Sequence, residues 1–213
     1  MFRLAALLPL AAILACGQPA PEAGNAQSPP AAAGPASSAP PETPGLTLEA
    51  RLAGITNVEI VHYDVRGDSL FAIRRALNQA GPRDPNDGQR VDALALWYIQ
   101  WRWPDAPGGG CDLSRAEIRF SASVRMPRLV AGPDTPEAVR LRWQRYVTAL
   151  ERHEANHIRR AWDARESVLA AIRASSCANA NADARAAIAI MGRRDVDYDR
   201  TTRHGLSEGA HFP

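Results

Sequence analysis

Two histidines flank a glutamate and two further residues in His153-Glu154-Ala155-Asn156-His157, and this spacing is the clearest chemical signal in the chain. On an α-helix, residues four apart lie on one side, so both imidazoles can reach a single metal ion. The glutamate between them then stands where it can take a proton from water polarised by that ion. The motif predicts Zn2+ as cofactor, His153 and His157 as ligands and Glu154 as catalytic base. The bland alternative is a solvated helix face carrying polar residues. It fits poorly, because the histidines share an apolar stripe with Trp143 and Leu150.

A catalytic zinc site takes three protein ligands and keeps a fourth position open. Asp163 and Glu166 are poor third ligands, since an uninterrupted helix carries them round and along the axis, away from His157. The third ligand must come from elsewhere. His204, followed by Gly205 in a polar tail, is one candidate, and a tail carboxylate is another. His211 reads as a solvated tail residue and His62 as a half-buried strand residue.

The elements that must position these groups can be read from hydrophobic period. Thr135-Pro136-Glu137 supplies an N-cap side chain, a first-turn proline and an early carboxylate. A long helix, bent or broken along its length, follows from about Pro136 to Ser175, and a second runs from Asn181 to Gly192. The residues from Asp195 to Pro213 read as a polar tail. Upstream, strands are expected at Val58–Val65, Ala93–Trp103 and Ala116–Met126, each alternating with period two. A short helix opens at Gly67-Asp68-Ser69 and closes at Gly81-Pro82. The expected fold is α+β: a small antiparallel sheet packed on the long HExxH-bearing helix, zincin-like.

The first residues speak to location. Met1-Phe2-Arg3 and the apolar run to Ala15 have the proportions of a secretory signal rather than a membrane span. Ile13-Leu14-Ala15-Cys16 resembles a bacterial lipobox, making residues 1–15 a lipoprotein signal peptide and Cys16 the lipidated terminus. Residues 16–45 are rich in Pro, Ala and Gly and read as a disordered tether, leaving 46–213 as one zinc-dependent protease-like domain. Gly17 after the cysteine points to the outer membrane, facing the periplasm; a secreted form is the alternative. With Cys16 assigned to lipid, Cys111 and Cys177 remain as a natural disulfide pair. The 25 basic residues are all arginine and the net charge is +2. No nucleic-acid motif accompanies them, so nucleic acid is not an expected partner.

Several of these features recur together. Glu151-Arg152-His153-Glu154-Ala155-Asn156-His157, Trp143 upstream, and the tail Tyr198-Asp199 through Thr202, His204-Gly205 and Gly209-Ala210 resemble a bacterial family of predicted secreted zinc-dependent proteases. That family is catalogued as a domain of unknown function (DUF) 922. The order of Gly81-Pro82, the tryptophan-rich strand, Cys111, HExxH, Cys177 and the His-Gly tail fits as well. The resemblance implies His153 and His157 as ligands and Glu154 as base, favours His204 as the third ligand, and names no substrate.

The expected function is therefore an exported zinc metallopeptidase, with a peptide or protein substrate and a membrane reached through the lipid anchor. Tyr198 is a candidate oxyanion donor, or else a packed core tyrosine. The Ala116–Met126 strand is expected to be the edge that pairs with extended substrate. The alternative is a non-catalytic lipoprotein interaction module with a structural zinc or no metal, which a fourth ligand such as Asp195, Asp199 or His211 would favour. A scaffold stacking glycans on Trp97, Trp101 and Trp103 is a further reading, set against burial of those rings in the core.

Overall fold

The computed structural model describes residues 46–86 and 88–213. The expected signal peptide, Cys16 and the tether up to residue 45 lie outside the described residues. Helix α1, Leu48–Arg51, opens where the Thr47 side chain accepts the Ala50 N–H; it was not anticipated. Strand β1 spans Val58–Arg66, helix α2 Leu70–Ala80, strand β2 Leu94–Arg102 and strand β3 Glu117–Val130. Ser69 caps α2 through the Ala72 N–H. At Gly81 the chain presses on its own return, where a Cβ would meet the Val91 carbonyl at 2.3 Å. Only glycine fits there.

The sheet order is β1-β3-β2. The expectation of an antiparallel sheet is corrected: β2 and β3 are antiparallel, but β1 and β3 run parallel from Val58↔Ala122 to Arg66↔Val130. A parallel pair needs a crossover connection. Here α2 and β2 together supply it, so that β3 returns into the middle of the sheet. β3 is therefore not the free edge expected for substrate; β1 and β2 are the outer strands. β3 also outruns its expected end at Met126. β2 stops pairing at Leu94↔Arg125, so Pro127 sits where β3 has β1 alone beside it and a missing N–H is tolerated.

Helix α3 spans Glu137–Ala164 and α4 Glu166–Arg173, broken at Arg165 as the long pattern allowed. The expected Thr135 cap does not form. Pro136 occupies the N-cap position without a side-chain bond, and the buried Thr135 hydroxyl has no hydrogen-bond partner. Helix α5 runs Ala180–Thr202, ten residues beyond the expected end at Gly192. A mid-helix glycine costs only about 1 kcal/mol, and the Arg200–Asp197 pair at 2.9 Å supports the last turns. Much of the supposed polar tail is thus helix. No described helix is long and apolar enough to cross a membrane.

The core lies between the sheet and α2, α3 and α4, around Val65, Ile73, Leu77, Val124, Ile158, Val168 and Ile172. The expected Cys111–Cys177 disulfide is present and ties the β2–β3 connection to the turn between α4 and α5. The last residues fold back onto this body. Phe212 is 1 % exposed, with its ring 5.7 Å from Trp143 and 5.3 Å from Tyr146. Arg74 donates to the Phe212 carbonyl at 3.4 Å and pairs with Asp92, whose carboxylate also accepts the Tyr146 hydroxyl at 2.7 Å.

Losing a buried aromatic typically costs about 3 kcal/mol or more. Phe212→Ala should lower urea-unfolding stability by about that much, against within about 0.5 kcal/mol for Leu141→Ala at a site 53 % exposed. Equal small effects in both variants would mean that the C-terminus is not anchored.

Candidate metal centre

Helices α3 and α5 pack together, and each carries a polar pair at four-residue spacing. His153 and His157 on α3 face Asp195 and Asp199 on α5. Asp199 Oδ1 lies 3.1 Å from Nε2 of both histidines, and the two Nε2 atoms are 3.2 Å apart. The outer nitrogens are tied as well. His153 Nδ1 meets Glu208 at 2.8 Å, and His157 Nδ1 meets Asp195 at 2.7 Å. A carboxylate accepting Nδ1–H leaves Nε2 as the inward-facing nitrogen, the arrangement found behind metal-ligating histidines.

Electrostatics follow from that enclosure. Burial disfavours the imidazolium at His157, but hydrogen bonds to Asp195 and Asp199 outweigh it and carry its pKa up to about 10. His153 is raised in the same way, burial being outweighed by Asp199, with Glu154 and Glu208 adding to the effect. Asp199 feels burial pushing it up, yet the two imidazoles hold it well below the usual carboxylate range. Glu154 behaves oppositely. It is 5 % exposed, and burial raises its pKa despite the nearby histidines and a hydrogen bond from the Ala95 backbone.

Two imidazole nitrogens and a carboxylate oxygen within 4.8 Å of one another form a donor set that could hold a metal ion. The chemistry fits zinc: N, N and O ligands with oriented second-layer carboxylates. A cation here would take the place of protons shared among the same groups.

The sequence candidates are placed unequally. His153, His157 and Glu154 come together at the centre. His204, expected as third ligand from the resemblance, has a side chain 72 % exposed, with Nδ1 3.7 Å from Asp199 Oδ1. It stands outside the three-residue group, where a tail carboxylate, Asp199, takes the inner position. His62, His211 and Asp163 are exposed. Tyr198 stacks on His153 at 5.1 Å, accepts from Asn156 at 2.9 Å and donates to Glu208 at 3.0 Å. Burial and Glu208 push its hydroxyl up to about 12, against the opposing pull of the Asn156 hydrogen bond and Arg160.

Asp195 and Glu208 were missed as second-layer groups. The signal for Asp195 was available in Asp195-x-x-x-Asp199, a helical pair matching His153-x-x-x-His157. Glu208 had no comparable signal, because only the folding back of the tail brings it near. Behind Asp195 stands a further support, the Trp97 indole, which donates to Asp195 Oδ2 at 3.0 Å.

The turn after α5 leaves the histidine of the His-Gly pair at the exposed rim of the group. Arg203 and His204 are both left-handed (φ 52° and 53°), which reverses the chain and brings Gly205 beneath His153. A Cβ at Gly205 would lie 2.9 Å from His153 Cγ, at a φ of +77° that side chains rarely adopt.

Zinc per chain separates the two ligand assignments. If the centre takes up zinc, Asp199→Ala should lose most of it, whereas His204→Ala should keep it; the reverse pattern would make His204 the third ligand. Gly205→Ala should weaken zinc about 10- to 100-fold in chelator competition by displacing the supported ring. Unchanged affinity would show that His153 can shift without loss.

No characterised protein and no solved structure matches the chain in comparison. A family profile, described as bacterial protein of unknown function (DUF922), matches residues 60–205. That span runs from β1 through both histidines, Glu154, Asp195 and Asp199 to Gly205, and covers well over half of the sequence. The chain therefore belongs to the DUF922 family.

Proposed function

We infer that this protein is a zinc metallopeptidase of the bacterial cell envelope. The observation that carries the reading is the three-donor cluster of His153, His157 and Asp199 with a buried glutamate between its two histidines. When bound by those three residues, zinc would supply Lewis acidity, lowering the pKa of water and polarising a carbonyl.

The chain's own groups account for the rest. Glu154, held by the Ala95 N–H and raised in pKa by burial, is suited to receive a proton from the attacking water and return it to the leaving amine nitrogen. Its partner groups are spent on orientation. Glu208 and Asp195 fix the two imidazoles, and Tyr198 uses its single hydroxyl proton on Glu208. Tyr198 acts in this arrangement as a positioning residue rather than as an oxyanion donor.

Extended substrate would pair with β2 instead of β3. Ala95 turns its N–H toward Glu154, away from the β3 side. Trp97 and Ile99, at two-residue steps, direct their backbone groups the same way. Strand addition there would lay a peptide beside the base.

A structural zinc would need a fourth protein ligand. Asp195, the nearest reserve, has one oxygen on His157 and the other on Trp97, which favours the open catalytic reading over the non-catalytic module. Trp97 and Trp101 are half-buried, with their indole N–H groups on α5 side chains, so glycan stacking has little support. The disulfide suits an oxidising compartment. Export and lipidation at Cys16 complete the proposal.

The test compares zinc-loaded wild type with Glu154→Gln on a mixed peptide library read by mass spectrometry. The variant should keep its zinc and lose hydrolysis by about 10²- to 10⁴-fold. A zinc-loaded wild type that cleaves nothing, or a Glu154→Gln variant as active as wild type, would overturn the reading.

A further inference from the structure

A cavity of about 380 Å³ lies beside the metal centre, lined by residues of β2, α3 and α5 that include Trp97, Arg160, Asp163, Met191, Arg194 and Asp195. It shares Asp195 with the centre, since that carboxylate also holds His157. Arg160 and Arg194 each belong to an arginine pair that reads from sequence as a solvated face. Both Arg160 and Arg194 are exposed, as that reading expects, and the fold brings these two, from different helices, to the same cavity.

The lining carries two arginines, Arg160 and Arg194, and two acids, Asp163 and Asp195, so it is formally neutral. Neither Arg160 nor Arg194 meets a carboxylate among the described residues. Arg160 rests with its guanidinium 4.8 Å from the Tyr198 ring, the same ring that stacks on His153. Asp195 makes no ion pair with either arginine; His157 and the Trp97 indole hold its two oxygens. Asp163 is the one remaining lining acid, and it is exposed and unpaired with either arginine. Two guanidinium forks in the cavity are therefore left without a carboxylate partner among the described residues. Such forks match the two oxygens of a carboxylate. The indole and Met191 add apolar surface suited to methylenes leading up to that group, which a bare inorganic anion would not use.

We propose that this cavity is a substrate subsite for a peptide carboxylate, supplied by an acidic side chain or by a free C-terminus. The assignment rests on the peptidase reading and narrows its substrate class to peptides with an acidic group near the scissile bond. Arg160 and Arg194 are its specificity-determining residues, and Trp97 is its apolar wall.

The experiment measures binding rather than turnover, using the zinc-loaded full chain carrying Glu154→Gln. Three pentapeptide pools, with all other positions drawn from uncharged residues, are titrated by calorimetry. One is end-blocked with a central Glu, one end-blocked with a central Gln, and one has a free C-terminal carboxylate and no acidic side chain. The Glu pool or the free-carboxylate pool should bind about tenfold or more tightly than the Gln pool, and whichever does identifies the source. Adding Arg194→Glu, at an exposed position that touches no metal ligand, should abolish or invert the preference. Adding Arg160→Gln with Arg194→Gln should level the three pools. Equal binding of all pools, binding of none, or a preference that survives Arg194→Glu would each overturn the subsite. Wild-type cleavage of the same pools is read alongside. An acidic binding preference without any cleavage would sink the peptidase reading alone, and cleavage without acidic preference would sink the subsite alone.

Discussion

Charge buried between α3 and α5 sets a constraint that the surrounding fold must satisfy. Two imidazoles and the Glu154 carboxyl are almost fully enclosed, with Asp199 against them. An uncompensated ion in such a place costs several kcal/mol. Each imidazole is instead held at both nitrogens by carboxylates drawn from α5 and the tail. The packing of α3 on α5, the reversal at Arg203–His204 and the docking of the last residues must all be in place before the network closes. The geometry of the candidate ligands and folding are coupled here, as expected of a potential metal site assembled from separate elements.

The local parts of this design were legible in the sequence. HExxH named three of the central residues, alternation located β1, β2 and β3, and cysteine arithmetic found the disulfide. Non-local features were not legible. Whether β3 is central or at an edge depends on where the crossover through α2 places β2, and alternation looks the same in either case. The end of α5 was misjudged because Gly192 and the polar run after it resemble a helix stop, although the i,i+4 spacing of Asp195 and Asp199 continues the helical face. Glu208 entered the site only through the folding back of the tail.

The two residues of the His-Gly pair contribute differently. His204 has the chemistry of a ligand and, largely exposed at a left-handed turn, stands at the rim of the group with Nδ1 3.7 Å from Asp199 Oδ1. Gly205 has no side chain, and that lack is its contribution: it lets backbone pass within a Cβ's reach of His153. The turn also sets the direction of the chain toward Glu208 and then Phe212. Glu208 grips His153 from outside, while Phe212 is wedged against Trp143 and Tyr146, about three and two turns earlier on α3. A helix and its own tail thus hold one imidazole from opposite ends.

β2 connects these supports to the proposed chemistry. The Ala95 backbone holds Glu154, and two residues on, the Trp97 indole holds Asp195, which in turn holds His157. One short segment of an outer strand therefore touches both the proposed base and the layer behind a ligand. On the peptidase reading, a peptide added along that edge would brace the strand on which both contacts depend, so binding and preorganisation of the site would share the same backbone. The cavity lined by Arg160 and Arg194 lies against the same Trp97. A side chain seated there would press on the indole that fixes Asp195. Substrate recognition and ligand orientation then meet at a single residue, which gives Trp97 a role that burial alone does not require.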